Sequence, residues 1–170
     1  MPSGIDMLYC CIRRAVAVAE VEGRVSHLFV KPRHGAPMEG RPALHAVADQ
    51  GLRGDAAFGT SRRQVLIIDS ETLADFELAP GMVRENITVS GLSLQGLRRG
   101  TRLHFGETVL EITGDCTPCD YLDSLRLGLK QALNGRRGLL ARVARGGQLE
   151  VGAPVRIDSA DTVGEAASPT

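Results

Sequence analysis

The chain has 170 residues, 43% hydrophobic and 24% charged, the proportions of an ordinary globular protein that can close one apolar core. Twenty basic residues balance twenty acidic ones, leaving no formal net charge, so nothing in the balance favours a nucleic acid or an anionic membrane as partner. Aromatics are only 4% with no Trp, which argues against the stacking platforms that bind single-stranded nucleic acid.

Residues 1–22 read as an N-terminal leader of uncertain order. Within it, Arg13 and Arg14 precede only five apolar residues before Glu20, too few for a signal-peptide core or a membrane span. The four cysteines fall in two close pairs, Cys10/Cys11 and Cys116/Cys119, unlike the spread spacing of a secreted disulfide framework. A cytoplasmic protein with reduced thiols is therefore expected. Twenty glycines and eight prolines sit mostly between short apolar runs, which points to tight turns and strands rather than long helices.

The strand signals follow in order. Val25 to Val30 is the first, then Ala43 to Ala48, then Gln64 to Ile68, whose lack of alternation implies burial on both faces. Asn86 to Val89 follows Pro80-Gly81. Thr101 to Phe105 and Thr108 to Ile112 flank Gly106-Glu107 and predict a hairpin. Leu139 to Val143 and Val151 to Ile157 close the series. Two helices are predicted. Ser70 to Glu77 has Ser70 as its cap and Pro80-Gly81 as its stop. The second starts just after Cys119, with Leu122, Leu125, Leu129 and Leu133 on one face and Asn134-Gly135 as its end. No βαβ alternation shows. The expected fold is mainly β, a barrel-like or sandwich architecture with a few inserted short helices, spanning 23–158. Residues 159–170 read as a disordered tail with too little apolar surface to dock.

Chemistry concentrates in Asp115-Cys116-Thr117-Pro118-Cys119. Cys119 falls at the start of the second helix, where unpaired N–H groups favour a thiolate. Asp115, Asp120 and Asp123 oppose this by like-charge repulsion unless they face solvent. Equally, both cysteines could be small buried apolar residues. A structural zinc site needs four ligands, and His27, His34, His45 and His104 are scattered. A thioredoxin-like dithiol lacks its βαβ setting. The turn Gly51-Leu52-Arg53-Gly54-Asp55 offers N–H groups to an anion, with Arg53, Arg62 and Arg63 assisting. It lacks the Lys-Ser/Thr ending of a P-loop, and a plain turn explains it as well. Arg84-Glu85-Asn86 places polar groups where a buried strand begins; a solvated loop with a structural Asn is the bland alternative. Arg136, Arg137, Arg142 and Arg145 read more simply as a solvated edge than as a phosphate site, although several arginines lining one cleft would suit an anionic cofactor.

In order, Gly51-x-x-Gly54-Asp55, Gln64-Val65-Leu66, Gly81 with Glu85-Asn86-Ile87, Gly100 with Leu103 and Gly106, Pro118-Cys119, Gly135-Arg136-Arg137-Gly138, Ala141-Arg142-Val143, Gly146-Gly147 and Gly152 resemble the MOSC domain. That domain forms the C-terminal part of molybdenum-cofactor sulfurases and also occurs as small stand-alone proteins. The resemblance runs from Gly23 to Ile157. It implies a β-barrel-like fold and affinity for the molybdenum cofactor, a pterin with a dithiolene and a phosphate. It also implies a functional cysteine at Cys119, which matches the family's Pro-Cys and would carry a persulfide or ligate molybdenum. On this reading Arg53, Gly54, Asp55, Arg63, Arg84 and Arg142 help to bind the cofactor, while Glu85 and Asn86 shape its pocket. Cys116 is left as a resolving thiol, a second sulfur holder or filler.

The chain departs from the family in two respects. Ala56-Ala57-Phe58 follows Gly54-Asp55 where small relatives often carry a His. The pyridoxal-phosphate domain of the full-length sulfurases is absent from the sequence, so no PLP is expected. Sulfur or cofactor would then come from a partner, a sulfur donor or a molybdenum-cofactor enzyme. Two alternatives stay open. One is a molybdenum-dependent oxidoreductase that reduces N-hydroxylated small molecules with a separate electron-transfer protein. The other is a non-catalytic binding module with core cysteines.

Overall fold

The computed structural model describes residues 22–60 and 63–158. The expected leader (apart from Glu22), the expected tail and Arg62 lie outside the described residues. The described residues form eleven strands: β1 Glu22–Val30, β2 Glu39–Arg41, β3 Ala43–Val47, β4 Gly51–Leu52, β5 Val65–Asp69, β6 Ile87–Ser90, β7 Arg102–Phe105, β8 Thr108–Asp115, β9 Leu139–Arg145, β10 Gly147–Glu150 and β11 Pro154–Ile157. Three short helices, α1 Ser70–Asp75, α2 Asp120–Leu125 and α3 Leu129–Ala132, decorate them. None is long and apolar enough to cross a membrane.

Seven strands close on themselves in the order β11-β7-β8-β9-β5-β6-β1, with β1 pairing back to β11. The result is a mainly β closed barrel, as expected. Strand β2 extends β1 outside the ring, and β10-β3-β4 form a small flanking sheet. Closure removes the unpaired edges that an open sheet would present.

Alternation along each strand fills the barrel. Val65 and Ile67 of β5 and Ala141 and Val143 of β9 join one interior cluster with Leu103, Phe105 and Leu110. Each fully buried Leu or Ile side chain contributes about 1.5–3 kcal/mol. On the opposite face of β5, Ile68 packs under a second cluster of Leu73, Leu78, Val83, Leu122, Leu129 and Leu133. All five residues of β5 are buried; on the outside of the barrel the helical layer covers Ile68.

Four details differ from the expectations. The predicted second helix breaks in two: Arg126 is extended and Gly128 adopts φ 85° in the left-handed region. Leu122, Leu129 and Leu133 are buried nonetheless, while Leu125 is only partly so. The cap of α1 is Asp69, whose side chain accepts from the Thr72 N–H at 2.7 Å, not Ser70. One βαβ unit exists, since β5 and β6 are parallel neighbours joined through α1. Six helical residues are too few to show a period. Strands β2, β4 and β10 went unforeseen because they are two to four residues long, and β2 is exposed throughout.

Asn86, just before β6, ties this wall together. Its N–H donates to the Leu66 carbonyl at 2.8 Å, and its side-chain Oδ1 accepts from the Leu66 N–H at 3.0 Å. Its carbonyl accepts from the Phe29 N–H at 2.8 Å, and Nδ2 donates to the Phe29 carbonyl at 3.3 Å. Nδ2 also donates to Asp55 Oδ2 at 3.0 Å. Asn86→Ala leaves a buried N–H and weakens two acceptors, at about 1–3 kcal/mol per unsatisfied group. Urea unfolding should show a loss on the order of 3 kcal/mol; a loss under about 1 kcal/mol would make the carboxamide dispensable.

Candidate functional site

Cys116 follows directly on β8, with its N–H donating to the Gly138 carbonyl at 3.0 Å. Cys119 is the N-cap residue of α2, in extended conformation, and makes no side-chain cap bond. The stretch from Cys116 to Gly138, helices included, is therefore an excursion between two antiparallel neighbours, β8 and β9. Three other connections meet it: the turn after β1, the loop from β4 to β5, and the segment from α1 to β6.

They enclose a cleft of about 220 Å³ lined by Lys31, Met38, Asp55, Ala57, Arg63, Leu66, Arg84, Asn86, Cys116, Cys119, Arg137 and Leu140. Leu66 and Leu140 sit opposite one another on β5 and β9, on the face away from the barrel core, so the cleft lies against the outside of the wall. Four cationic side chains and one carboxylate line it. A chain with no net charge thus presents a cationic cleft.

Three of these charges, Asp55, Arg84 and Arg137, are held by specific contacts. Asp55 accepts from the Ala57 N–H at 2.9 Å through Oδ1, and from the Lys31 N–H at 2.8 Å through Oδ2. With Asn86 as a third donor, its carboxylate pins the loop. Arg84 has φ 64°, a conformation costing non-glycine residues about 1–2 kcal/mol. The twist buries Val83 and Glu85 while Arg84 turns into the cleft, its guanidinium 3.7 Å above the Tyr121 ring. The Tyr121 hydroxyl donates to the Met82 carbonyl at 3.0 Å.

Arg137 is 7% exposed. Its Nη1 donates to Cys116 Sγ at 2.6 Å and to the Thr117 carbonyl at 3.4 Å, and Nη2 donates to the Val83 carbonyl at 3.2 Å. Nε has no partner. Its neighbour Arg136 turns the other way, to Asp75 at 2.7 Å and over the Phe76 ring.

The two thiols differ sharply. Cys119 is exposed and Cys116 is buried. Burial pushes the Cys116 thiol up, with the positive charges of Arg137 and Arg63 opposing. Two of the three carboxylates named beside Cys119 are engaged by Lys130: Asp120 pairs with its ammonium at 2.6 Å, and Asp123 accepts from its N–H at 2.9 Å. Among the described residues, no group of three or more His, Cys, Asp or Glu could hold a metal ion.

A family model for the MOSC domain matches residues 32–156. The chain belongs to the MOSC domain family. Solved structures share its fold. YuaD from Bacillus subtilis is 20% identical with TM-score 0.70, over 80% of this chain and 95% of that one. YiiM from Geobacillus stearothermophilus is 21% identical with TM-score 0.65, over 81% and 75%. YiiM from Escherichia coli is 21% identical with TM-score 0.60, over 80% and 70%. No curated protein matches by sequence.

Of the residues singled out from sequence, this MOSC domain brings Cys116, Cys119, Asp55, Arg63, Arg84 and Asn86 to one cleft. The others lie apart from its lining. Arg53 and Gly54 are exposed on the turn. Arg142 pairs with Glu111 at 3.0 Å and Asp49 at 2.9 Å. Glu85 is wholly buried behind the wall; its Oε1 accepts from the Gly81 N–H and from the Thr88 hydroxyl, and Oε2 has no partner. Lys31 and Met38 were missed, and Arg137, read more simply as part of a solvated edge, is buried and lines the cleft. The glycines flanking Arg136-Arg137 were the one available sign that this pair sits in a tight bend.

Burial raises the Glu85 carboxyl above its usual range, against hydrogen bonds that lower it. The folded state then holds this proton more tightly than the unfolded state does. Its contribution to stability is complete below the unfolded carboxylate pKa and is lost as pH rises through the folded value. Glu85→Gln, which keeps the shape without the charge, should match wild type in urea at about pH 4 and exceed it increasingly toward pH 8. A pH-independent difference would contradict this. For the thiols, N-ethylmaleimide followed by peptide mapping should label Cys119 at least roughly tenfold faster than Cys116; equal rates would contradict the burial difference.

Proposed function

We propose that the cleft binds a molybdenum-cofactor-type ligand and that Cys119 is the chain's sulfur contact with its cargo, as a metal-bound thiolate or as a persulfide. The observation that carries this reading is an exposed thiol at a cleft lined by Lys31, Arg63, Arg84 and Arg137. These residues fit the group. Arginines suit a phosphate, and a soft sulfur suits molybdenum or sulfane sulfur. With no three-ligand cluster among the described residues, a metal here would bring most of its own ligands, as a pterin dithiolene does. Arg63, Arg84 and Arg137 would hold the anionic end, and Asn86 with Asp55 would fix the wall behind it. The cofactor or sulfur would be handed over by another protein, in a reducing compartment such as the cytoplasm.

A second reading, a molybdenum-dependent reductase of N-hydroxylated small molecules, draws support from a neighbouring chamber of about 430 Å³. It shares Met38 and Arg84 with the cleft, and Phe29, Ala36, Pro80, Met82 and Tyr121 line it. A space with apolar walls adjoining the cleft at Met38 and Arg84 gives a small organic substrate somewhere to sit. The bound cofactor would supply the redox change, and a separate protein the electrons.

Protein purified from a cofactor-competent host should retain molybdenum and pterin or show a persulfide on Cys119. Cys119→Ser should lose the persulfide and retain less metal while keeping its fold by circular dichroism. Wild type carrying neither metal, pterin nor persulfide would overturn the first reading. Turnover of an N-hydroxylated base with a chemical reductant, abolished in Cys119→Ser, would favour the second; a metal-loaded but inert wild type would count against it.

A further inference from the structure

Among the described residues, Arg137 is a buried cation that forms no ion pair with a carboxylate. Taking a guanidinium out of water costs several kcal/mol unless it is paired, and a buried arginine normally meets a carboxylate. Here its partners are two backbone carbonyls and the Cys116 sulfur at 2.6 Å. A neutral thiol is a weak acceptor, and Nε is unpartnered. The pair is nonetheless firmly placed: the Cys116 N–H is tied to Gly138, the residue after Arg137, and Nη2 is tied to Val83. The arrangement suits a sulfur at position 116 that becomes negatively charged.

We propose that Cys116 and Arg137 form an inner sulfur station, which takes the terminal sulfur from a persulfide on Cys119. This rests on the sulfur-carrier form of the reading above. An external persulfide donor first passes its outer sulfur to the Cys119 thiolate. One S–S bond forms at Cys119 Sγ, the donor's S–S bond breaks, and the donor leaves as a thiolate. The Cys116 sulfur then attacks the outer sulfur of the Cys119 persulfide. A bond forms to Cys116 Sγ, the bond to Cys119 Sγ breaks, and the Cys116 proton passes to the departing Cys119 sulfur. The transferred atom stays at the sulfane level throughout, so no oxidant or reductant is needed.

Three observations set the direction. Cys119 is exposed to a donor, whereas Cys116 is 4% exposed. Burial disfavours the thiolate of Cys116, so it is a poor first acceptor. A persulfide is more acidic than its parent thiol, so the Arg137 contact stabilises a loaded Cys116 more than an empty one. Both thiols line one cleft, and the persulfide arm extends the reach of Cys119 by an S–S bond of about 2 Å.

Glutathione persulfide added to the reduced full chain, with alkylation quenches and peptide fragmentation, tests the order of loading. A gain of about 32 Da should appear first on Cys119 and then on Cys116 as Cys119 returns to a thiol. Cys116→Ser should keep the label on Cys119, and Cys119→Ser should leave Cys116 unlabelled over the same interval. Arg137→Lys should slow the step from Cys119 to Cys116 roughly tenfold, read as the lifetime of the label on Cys119 once that residue is loaded. If that variant fails to fold, wild type and the cysteine variants still decide the matter. A labelled Cys119 with Cys116 never labelled would overturn the relay while leaving the carrier reading intact. So would direct loading of Cys116 in Cys119→Ser at the wild-type rate, or release of hydrosulfide with a Cys116–Cys119 disulfide. A Cys119 that never takes the label would remove both.

Discussion

A single buried carboxamide does the work of a short strand. Asn86 answers both the N–H and the C=O of Leu66 on one side, and both of Phe29 on the other, before β6 has begun. Buried backbone groups without partners are costly, and the ladder would otherwise end here with several exposed to the cleft. The same carboxamide grips Asp55, which in turn holds Lys31 and Ala57 by their N–H groups. Three connections far apart in sequence are thereby fixed to the barrel wall at one spot. The cationic cleft can exist there because these loops are already bound in place before any ligand arrives.

From that anchoring follows the division between frame and chemistry. The apolar cluster that fills the barrel consists of aliphatic side chains and one buried aromatic, Phe105. Everything reactive sits outside the wall, on connections. Arg84 is turned outward by a left-handed backbone and braced on Tyr121. Arg137 is turned inward while Arg136 goes to the surface. Adjacent residues in one bend thus reach different environments. An evenly charged sequence thereby yields one concentrated positive surface, at the place where a soft sulfur is presented.

The main strands were legible because each is an apolar run bounded by glycine or proline, and the hairpin at Gly106-Glu107 announces itself. What escaped had no local period: two- to four-residue strands, and a βαβ crossover with a six-residue helix. Gly128 breaks the second helix even though Leu122, Leu129 and Leu133 all reach the core, because apolar spacing reports burial, and burial survives an interruption that hydrogen bonding does not. In the site, the thiols and the Asp55, Arg63, Arg84 and Asn86 positions could be picked out by residue type and order. Glu85 could not be separated from Arg84 by sequence; a positive φ decides which of the two faces the ligand. Arg137 was hidden among arginines that do go to solvent. Its burial follows from a contact with Val83, 54 positions away, which no local pattern reports.

The excursion between β8 and β9 has a dynamic consequence. The chain leaves the ring at Cys116 and rejoins it at Leu139, next to the strand it left. The entropy of closing such a detour grows only slowly with its length, and the ladder on either side holds without it. Opening it would uncover Leu122, Leu129 and Leu133, which pack with Ile68 on the outside of β5, so the sulfur-bearing segment is held shut by its own leucines. What a bulky donor can meet is then the exposed sulfur at the entrance to the detour, while the inner one stays covered.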